Sequence, residues 1–260
     1  MLGIDRPVVL CISGHDPTGG AGIQADIETA IAHRCRACSL ISCVTRQDSA
    51  NVYAVDPLPI DKLCHQLATL CADITPDVIK LGLLGSVACI EALAPILRAL
   101  HKPIVMDPIL VAGGGYLLSD PLLISALNTH LLPHTTLLTP NQAEACRMSG
   151  QSNLNSAIDC LLDRGCQHIL LTGTDGTQGD HVVHKLYSQD ASVQQYAWPR
   201  LAHSYHGSGC TLATACASQI ALGKTVPEAV LCAQQFTWHS LQRADQPGSG
   251  QWLPWRVGCD

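Results

Sequence analysis

Short apolar runs separated by longer segments of helical period recur along this chain. Residues 8–12, 39–44, 78–81, 103–106, 135–138 and 168–171 are such runs, with the length and continuity expected of strands covered on both faces. Between them, residues 21–33, 60–71, 86–100, 121–131, 142–148 and 156–164 read as helices. Strand and helix units in this alternation predict an α/β fold of three α/β/α layers, with a mostly parallel central sheet and right-handed crossovers. Residues 181–187 and 193–198 alternate polar with apolar positions and predict a small antiparallel hairpin at a sheet edge. Two helices close the pattern, over 209–222 and 226–243, the second opened by Thr225 and Glu228 as a capping box. No linker, repeat or low-complexity stretch interrupts it, so residues 1–260 are expected to form one domain. The glycine- and proline-bearing tail after Ala244 reads as peripheral.

Composition narrows the setting. Hydrophobic residues make up 47% and charged residues 14%, yet no apolar run approaches the ~20 residues needed to span a bilayer. Met1 to Val8 carry Asp5 and Arg6 and lack the basic start and apolar core of an export signal. The net charge is −6, and the 15 basic residues form no stripe, so the footprint of a nucleic-acid binder is missing. Fourteen cysteines in such a chain read as reduced thiols, which predicts a cytoplasmic protein. Cys35 and Cys38 form one CxxC, open to three readings: a redox motif, half of a zinc site, or two small buried side chains. A zinc site needs two more ligands, and there is no second CxxC.

In parallel sheets, ligands gather outside the carboxyl ends of the strands, and the informative residues of this chain fall there. After the first run, Ser13 to Gly22 form a loop rich in glycine, including Gly14, that lets backbone approach a ligand and sets Asp16 at the strand end. Gln47 follows the second run, with an amide that both donates and accepts, as a heteroaromatic ring edge requires. Asp107 follows residues 103–106, where a carboxylate either holds Mg²⁺ or accepts backbone N–H bonds in a turn. Asn141 and Glu144 have the same double reading. They are spaced as a helix cap, and also as a carboxylate and amide beside a nucleotide-escorting magnesium ion. Thr172, Gly173 and Thr174 offer hydroxyl and backbone donors for phosphates. Last comes His206-Gly207-Ser208-Gly209-Cys210-Thr211, either a plain glycine-rich helix entry or unobstructed backbone N–H groups cradling an anion at a helix N-terminus. Cys210 in that first turn is expected to have its pKa lowered towards neutrality by the helix terminus.

Together these loops resemble, collinearly over residues 8–243, the phosphomethylpyrimidine kinases of thiamin biosynthesis, a branch of the ribokinase-like superfamily. The most specific parts are the 13–22 loop continuing into Ile23-Gln24-Ala25-Asp26, the 105–108 strand end, residues 139–144 and residues 207–211. The resemblance implies a ribokinase-like fold without a separate lid domain. It also implies ATP- and Mg²⁺-dependent phosphorylation of 4-amino-5-hydroxymethyl-2-methylpyrimidine and then of its monophosphate. By similarity, Gly14, Asp16, Gln47 and Leu83 fall on the pyrimidine side, with Leu83 standing where many members have Met. Gly207, Ser208, Gly209 and Cys210 fall on the anion hole, Asn141, Thr172, Gly173 and Thr174 on the nucleotide phosphates, and Asp107 and Glu144 on the metal. Sugar-kinase relatives typically carry Asp where this chain has Cys210. Relatives are often dimers, which makes a homodimer the expected state. A pyridoxal-type kinase of the same fold and a non-catalytic pyrimidine-binding protein are the alternative functions.

Overall fold

The computed structural model describes residues 6–111, 118, 120–173 and 179–258. A nine-stranded sheet forms its centre: β1 (Val8–His15), β2 (Arg36–Gln47), β3 (Val52–Pro57), β4 (Val78–Leu81), β5 (Ile104–Met106), β6 (Leu137–Leu138), β7 (His168–Leu171), β8 (His181–Ser188) and β9 (Val193–Pro199). Their spatial order is β3-β2-β1-β4-β5-β6-β7-β8-β9. The run from β2 to β7 is parallel, whereas β3 pairs antiparallel to β2 at one edge and the β8–β9 hairpin antiparallel to β7 at the other.

The continuous apolar runs exist because both faces of the sheet are covered. Alternate residues of each central strand enter different cores. Leu10, Ile12, Ile79, Leu81, Ile104, Met106, Ile169 and Leu171 face α2 (Ile60–Asp73), α3 (Val87–Ala99), α4 (Pro121–Ala126), α5 (Gln142–Ser149) and α6 (Leu154–Asp163). Val9, Cys11, Val78, Val105, Leu137 and Leu170 face α1 (Gly22–Ala32), α7 (Ser208–Ala221) and α8 (Val226–Gln242). The predicted three-layer architecture and the edge hairpin are therefore present. So is the capping box of α8, with Glu228 accepting from the Thr225 N–H at 3.0 Å.

Three local expectations change. Residues 52–57 were not legible as a strand: β3 is a short edge strand that ends in Asp56 and Pro57 and buries only Val52. The helix expected over 121–131 is α4 followed by a π-helical turn, Leu127–Leu131, and a 3₁₀ turn carrying Pro133. The tail is not peripheral. Its Tyr205–Trp252 and Asp245–Leu253 bridges stitch it to the approach to α7 and to its own start, and Arg256 is 2% exposed. Cys35 and Cys38 face different cores, and among the described residues no group of three or more His, Cys, Asp or Glu side chains is placed to hold a metal. This leaves the buried-thiol reading of the CxxC.

Candidate active site

Every parallel strand delivers its predicted residue to one end of the sheet. There a cavity of about 370 Å³ is lined by Gly14 near the end of β1, Asp16 just beyond it, Gln47 at the end of β2, Leu83 beyond β4 and Asp107 beyond β5. Asn141 and Glu144 beyond β6, Thr172 beyond β7, and Gly207, Ser208, Gly209 and Cys210 at the start of α7 complete the same wall. Gly173 is described but does not line the cavity; its carbonyl accepts from the Gln142 amide at 2.6 Å. Thr174 lies outside the described residues.

The cradle depends on one glycine. Gly207 is the N-cap of α7 at φ +80°, the left-handed region, and a β-carbon there would collide with the Gly20 carbonyl. Gly207 thus lets the substrate loop and the helix entry touch, and its own carbonyl takes bonds from the Thr211 N–H at 3.0 Å and hydroxyl at 2.8 Å. Gly209 stands across from Asp107: a β-carbon would sit 3.4 Å from Asp107 Oδ2, so the gap between cradle and carboxylate is about one methyl wide.

Asp16 is fully engaged within the protein. Its Oδ1 accepts from the Thr18 N–H and hydroxyl, both at 2.8 Å, while Oδ2 accepts from the Ala21 N–H and lies 2.8 Å from His206 Nε2. Burial alone would raise its pKa, but the His206 hydrogen bond and charge, with the Thr18 donors, outweigh burial and hold it below the usual carboxylate value. Asp16 therefore locks the glycine loop to the residue preceding the cradle. The Asn141–Glu144 pair is likewise a complete capping box: Asn141 Oδ1 accepts from the Glu144 N–H at 2.9 Å, and Glu144 Oε2 accepts from the Asn141 N–H at 3.0 Å. Glu144 Oε1 accepts from the Leu110 N–H at 3.1 Å, which steers the segment after Asp107. The capping and cavity-lining readings hold together, since one carboxylate does both.

Electrostatics beneath the cradle run against one sequence expectation. Burial pushes the Cys210 thiol up to about 12, with Asp107 and Asp26 adding to the rise and Lys80 and the Gly22 N–H opposing it. The helix terminus does not bring the thiol towards neutrality, because the sulfur has left water and desolvation of a thiolate exceeds the dipole's pull. Asp107 is raised to about 7, chiefly by burial, with Lys80 opposing and Glu144 and Asp26 reinforcing. Below lies an ion pair that sequence reasoning passed over. Lys80 Nζ and Asp26 Oδ1 are 2.7 Å apart and wholly buried, and Ser13 and Thr214 hydroxyls each donate to Asp26 at 2.6 Å. Burial opposes the Lys80 charge, but Asp26 overrides it and raises the ammonium pKa above its ordinary value. A lone lysine inside the apolar strand 78–81 was the available signal. Tyr205, Gln251 and Thr139 also line the cavity without having been singled out, and the buried Thr139 hydroxyl has no hydrogen-bond partner within the protein.

A parallel α/β sheet whose strand ends surround a glycine cradle and two carboxylates defines a phosphotransferase of the ribokinase-like fold. The chain belongs to the phosphomethylpyrimidine kinase family, whose model matches residues 16–255. It is 34% identical over 94% of its length to the hydroxymethylpyrimidine/phosphomethylpyrimidine kinase of Synechococcus elongatus, covering 95% of that protein. With the enzyme of the same description from Streptomyces coelicolor it shares 32% identity, covering 95% of this chain and 93% of that one. Among solved structures, the pyridoxal kinase of Staphylococcus aureus in complex with pyridoxal superposes with a TM-score of 0.88 at 28% identity, over 97% of this chain and 94% of that one. Phosphomethylpyrimidine kinase from Clostridium difficile superposes at 0.78, also at 28% identity, over 90% and 98% of the two chains. The protein is a kinase, and among its described residues no helix is long and apolar enough to cross a membrane.

Proposed function

We propose that this kinase transfers the γ-phosphoryl group of ATP to the hydroxymethyl group of 4-amino-5-hydroxymethyl-2-methylpyrimidine, and then to the resulting monophosphate, with the whole chain 1–260 as the catalytic unit. The observation that carries the reading is that Gln47 and the Gly207–Cys210 cradle line one cavity of about 370 Å³. A ring held at its edge by the amide can thus present its exocyclic oxygen to the anion site. Backbone N–H groups at the entry of α7 then meet the charge that develops on the transferring phosphoryl.

The donors suit Mg²⁺. Asp107 and Glu144 stand beyond the neighbouring strands β5 and β6 and line the same cavity, and the Glu144 charge adds to the rise of the Asp107 pKa, so hard carboxylate oxygens gather where a cation would relieve the repulsion. Among the described residues they form no all-protein cage, and an ion held here would keep waters and take phosphate oxygens as ligands. When bound, the ion would neutralise charge on the nucleotide phosphates. Asn141 and Thr172 offer the nearby polar groups for those phosphates.

Cys210 stays a neutral thiol in this site. The first acceptor is an alcohol, but the second is a phosphate whose second pKa is about 6 and whose oxygen needs no base. A carboxylate at this position would repel that dianion; a thiol tolerates it. The thiol can still hydrogen-bond the alcohol acceptor and orient it, helping the first step while tolerating the second, so Cys210→Ala is expected to slow the first phosphorylation more than the second, and equal losses in single-turnover measurements of the two steps would refute that role. The overall reading is tested by Mg²⁺-dependent ADP release with the pyrimidine alcohol, its monophosphate and pyridoxal in parallel. Turnover with the first two at the higher kcat/KM supports it, and preference for pyridoxal shifts the assignment to the activity named for the Staphylococcus aureus neighbour. The free thiols favour a cytoplasmic setting, and a homodimer is the assembly to look for by sedimentation.

A further inference from the structure

Arg256 is a cation in a tail segment, 2% exposed, and the proposed chemistry gives it no role. Its Nε donates to the Thr211 hydroxyl at 2.9 Å, one terminal nitrogen donates to the Gly19 carbonyl at 3.4 Å and pairs with Glu28 at 2.9 Å, and the other donates to the Gly20 carbonyl. Two of these partners lead to the cradle. The Thr211 hydroxyl, accepting from Arg256, donates in turn to the Gly207 carbonyl. The Gly20 carbonyl is the group against which Gly207 packs so closely that no β-carbon fits. The segment that carries Arg256 is fastened to the same place from the other side. The Trp252 carbonyl accepts from the His206 N–H at 2.9 Å, the Trp252 N–H donates to the Ser204 carbonyl at 2.9 Å, and the Trp252 indole stacks on His203 at 3.8 Å. Gln251 reaches the cavity wall and donates to the Ser204 hydroxyl at 2.8 Å.

We propose that Arg256 is a positioning residue: its planar guanidinium spans the glycine loop and the first turn of α7 and fixes the distance between the substrate loop and the anion cradle. A flat, forked donor reaches four acceptors at once in a fixed geometry, which a three-donor ammonium on a flexible stem cannot do. Both joined segments are glycine-rich, and Arg256 adds a second brace to the Asp16–His206 link that already joins them. The inference rests on the kinase reading for its rate measurements and not for its structural one.

The experiment compares Arg256→Ala, Arg256→Lys and Glu28→Gln with the parent protein in hydrogen–deuterium exchange, thermal denaturation and steady-state ADP release. In Arg256→Ala, exchange in peptides covering 19–22 and 207–211 is expected to rise together, with kcat falling at least tenfold while the KM for ATP moves less than threefold. Arg256→Lys is expected to recover only part of kcat. Glu28 is half exposed, so Glu28→Gln should leave kcat within twofold. Unchanged exchange in those two segments overturns the proposal whatever substrate the enzyme takes, as does an unchanged kcat in a parent active on the pyrimidine alcohol. Inactivity of the parent overturns the substrate assignment alone, and the exchange result still decides the brace. Should Arg256→Ala fail to fold, Thr211→Val cuts only the relay to Gly207: kcat should drop fivefold or more and return in Thr211→Ser. A valine variant with parent kcat overturns the proposal.

Discussion

At the scale of single residues, the site is shaped by what is absent from two glycines. Gly209 leaves a gap of one methyl between the cradle and Asp107. Because 3.4 Å is an ordinary contact, Gly209→Ala is expected to fold and to gain up to about 1 kcal/mol from helix propensity. It should lose at least tenfold in kcat/KM, since the methyl occupies the space the phosphoryl needs. Thermal denaturation and ADP release measured on the same preparation check both halves. Asp16 gives a pH signature. Its folded-state pKa lies below the unfolded value of about 4, so the stability it contributes is present above pH 4 and is lost as pH falls through the folded value. The stability difference between the parent and Asp16→Asn, read from urea unfolding, should therefore narrow on acidification below pH 4.

At the scale of elements, the ion pair of Lys80 and Asp26 links β4 to α1, while Thr214 brings in α7 and Ser13 brings in β1. Lys80→Met leaves a buried carboxylate uncompensated and is expected to cost about 3–5 kcal/mol. Replacing both members with apolar residues should recover most of that in chemical denaturation, because the desolvation of both charges is then avoided. Strands that are buried on both faces announce themselves through continuous apolar runs, so β1, β4 and β7 were readable, and so was Asp107 at a strand end. β3 was not, because an exposed edge strand carries no such signal. Arg256 was missed for a different reason: two of its partners are backbone carbonyls more than two hundred positions away, and a carbonyl leaves no mark in residue type. The Cys210 thiol shows the limit of local reasoning, since the helix terminus is a sequence-near effect and burial comes from the whole fold.

At the scale of the whole molecule, the sheet has a well-buried middle and two thinner margins. β4, β5 and β6 are buried throughout, whereas β9 exposes most of its residues, including Val193 at 56%. Native-state hydrogen exchange is expected to be slowest in β1, β4 and β5, approaching global unfolding, and at least tenfold faster in β8 and β9. Equal protection across the sheet would show a more uniform cooperativity than this burial implies. The site sits over the slow middle and only its Thr172 side approaches the hairpin, so opening of that margin leaves the pyrimidine-facing wall intact.

The burial of Cys210 has a consequence for the enzyme's endurance under oxidants. Peroxide attacks thiolates, and burial holds the Cys210 thiol far above its ordinary value, so almost none of it is ionised at neutral pH. An enzyme that keeps sulfur beside its anion site would ordinarily risk sulfenic acid and irreversible overoxidation. Here the same burial that denies the helix its pull on the proton also makes the residue a poor target, so Cys210 should outlast the chain's more exposed cysteines under oxidants.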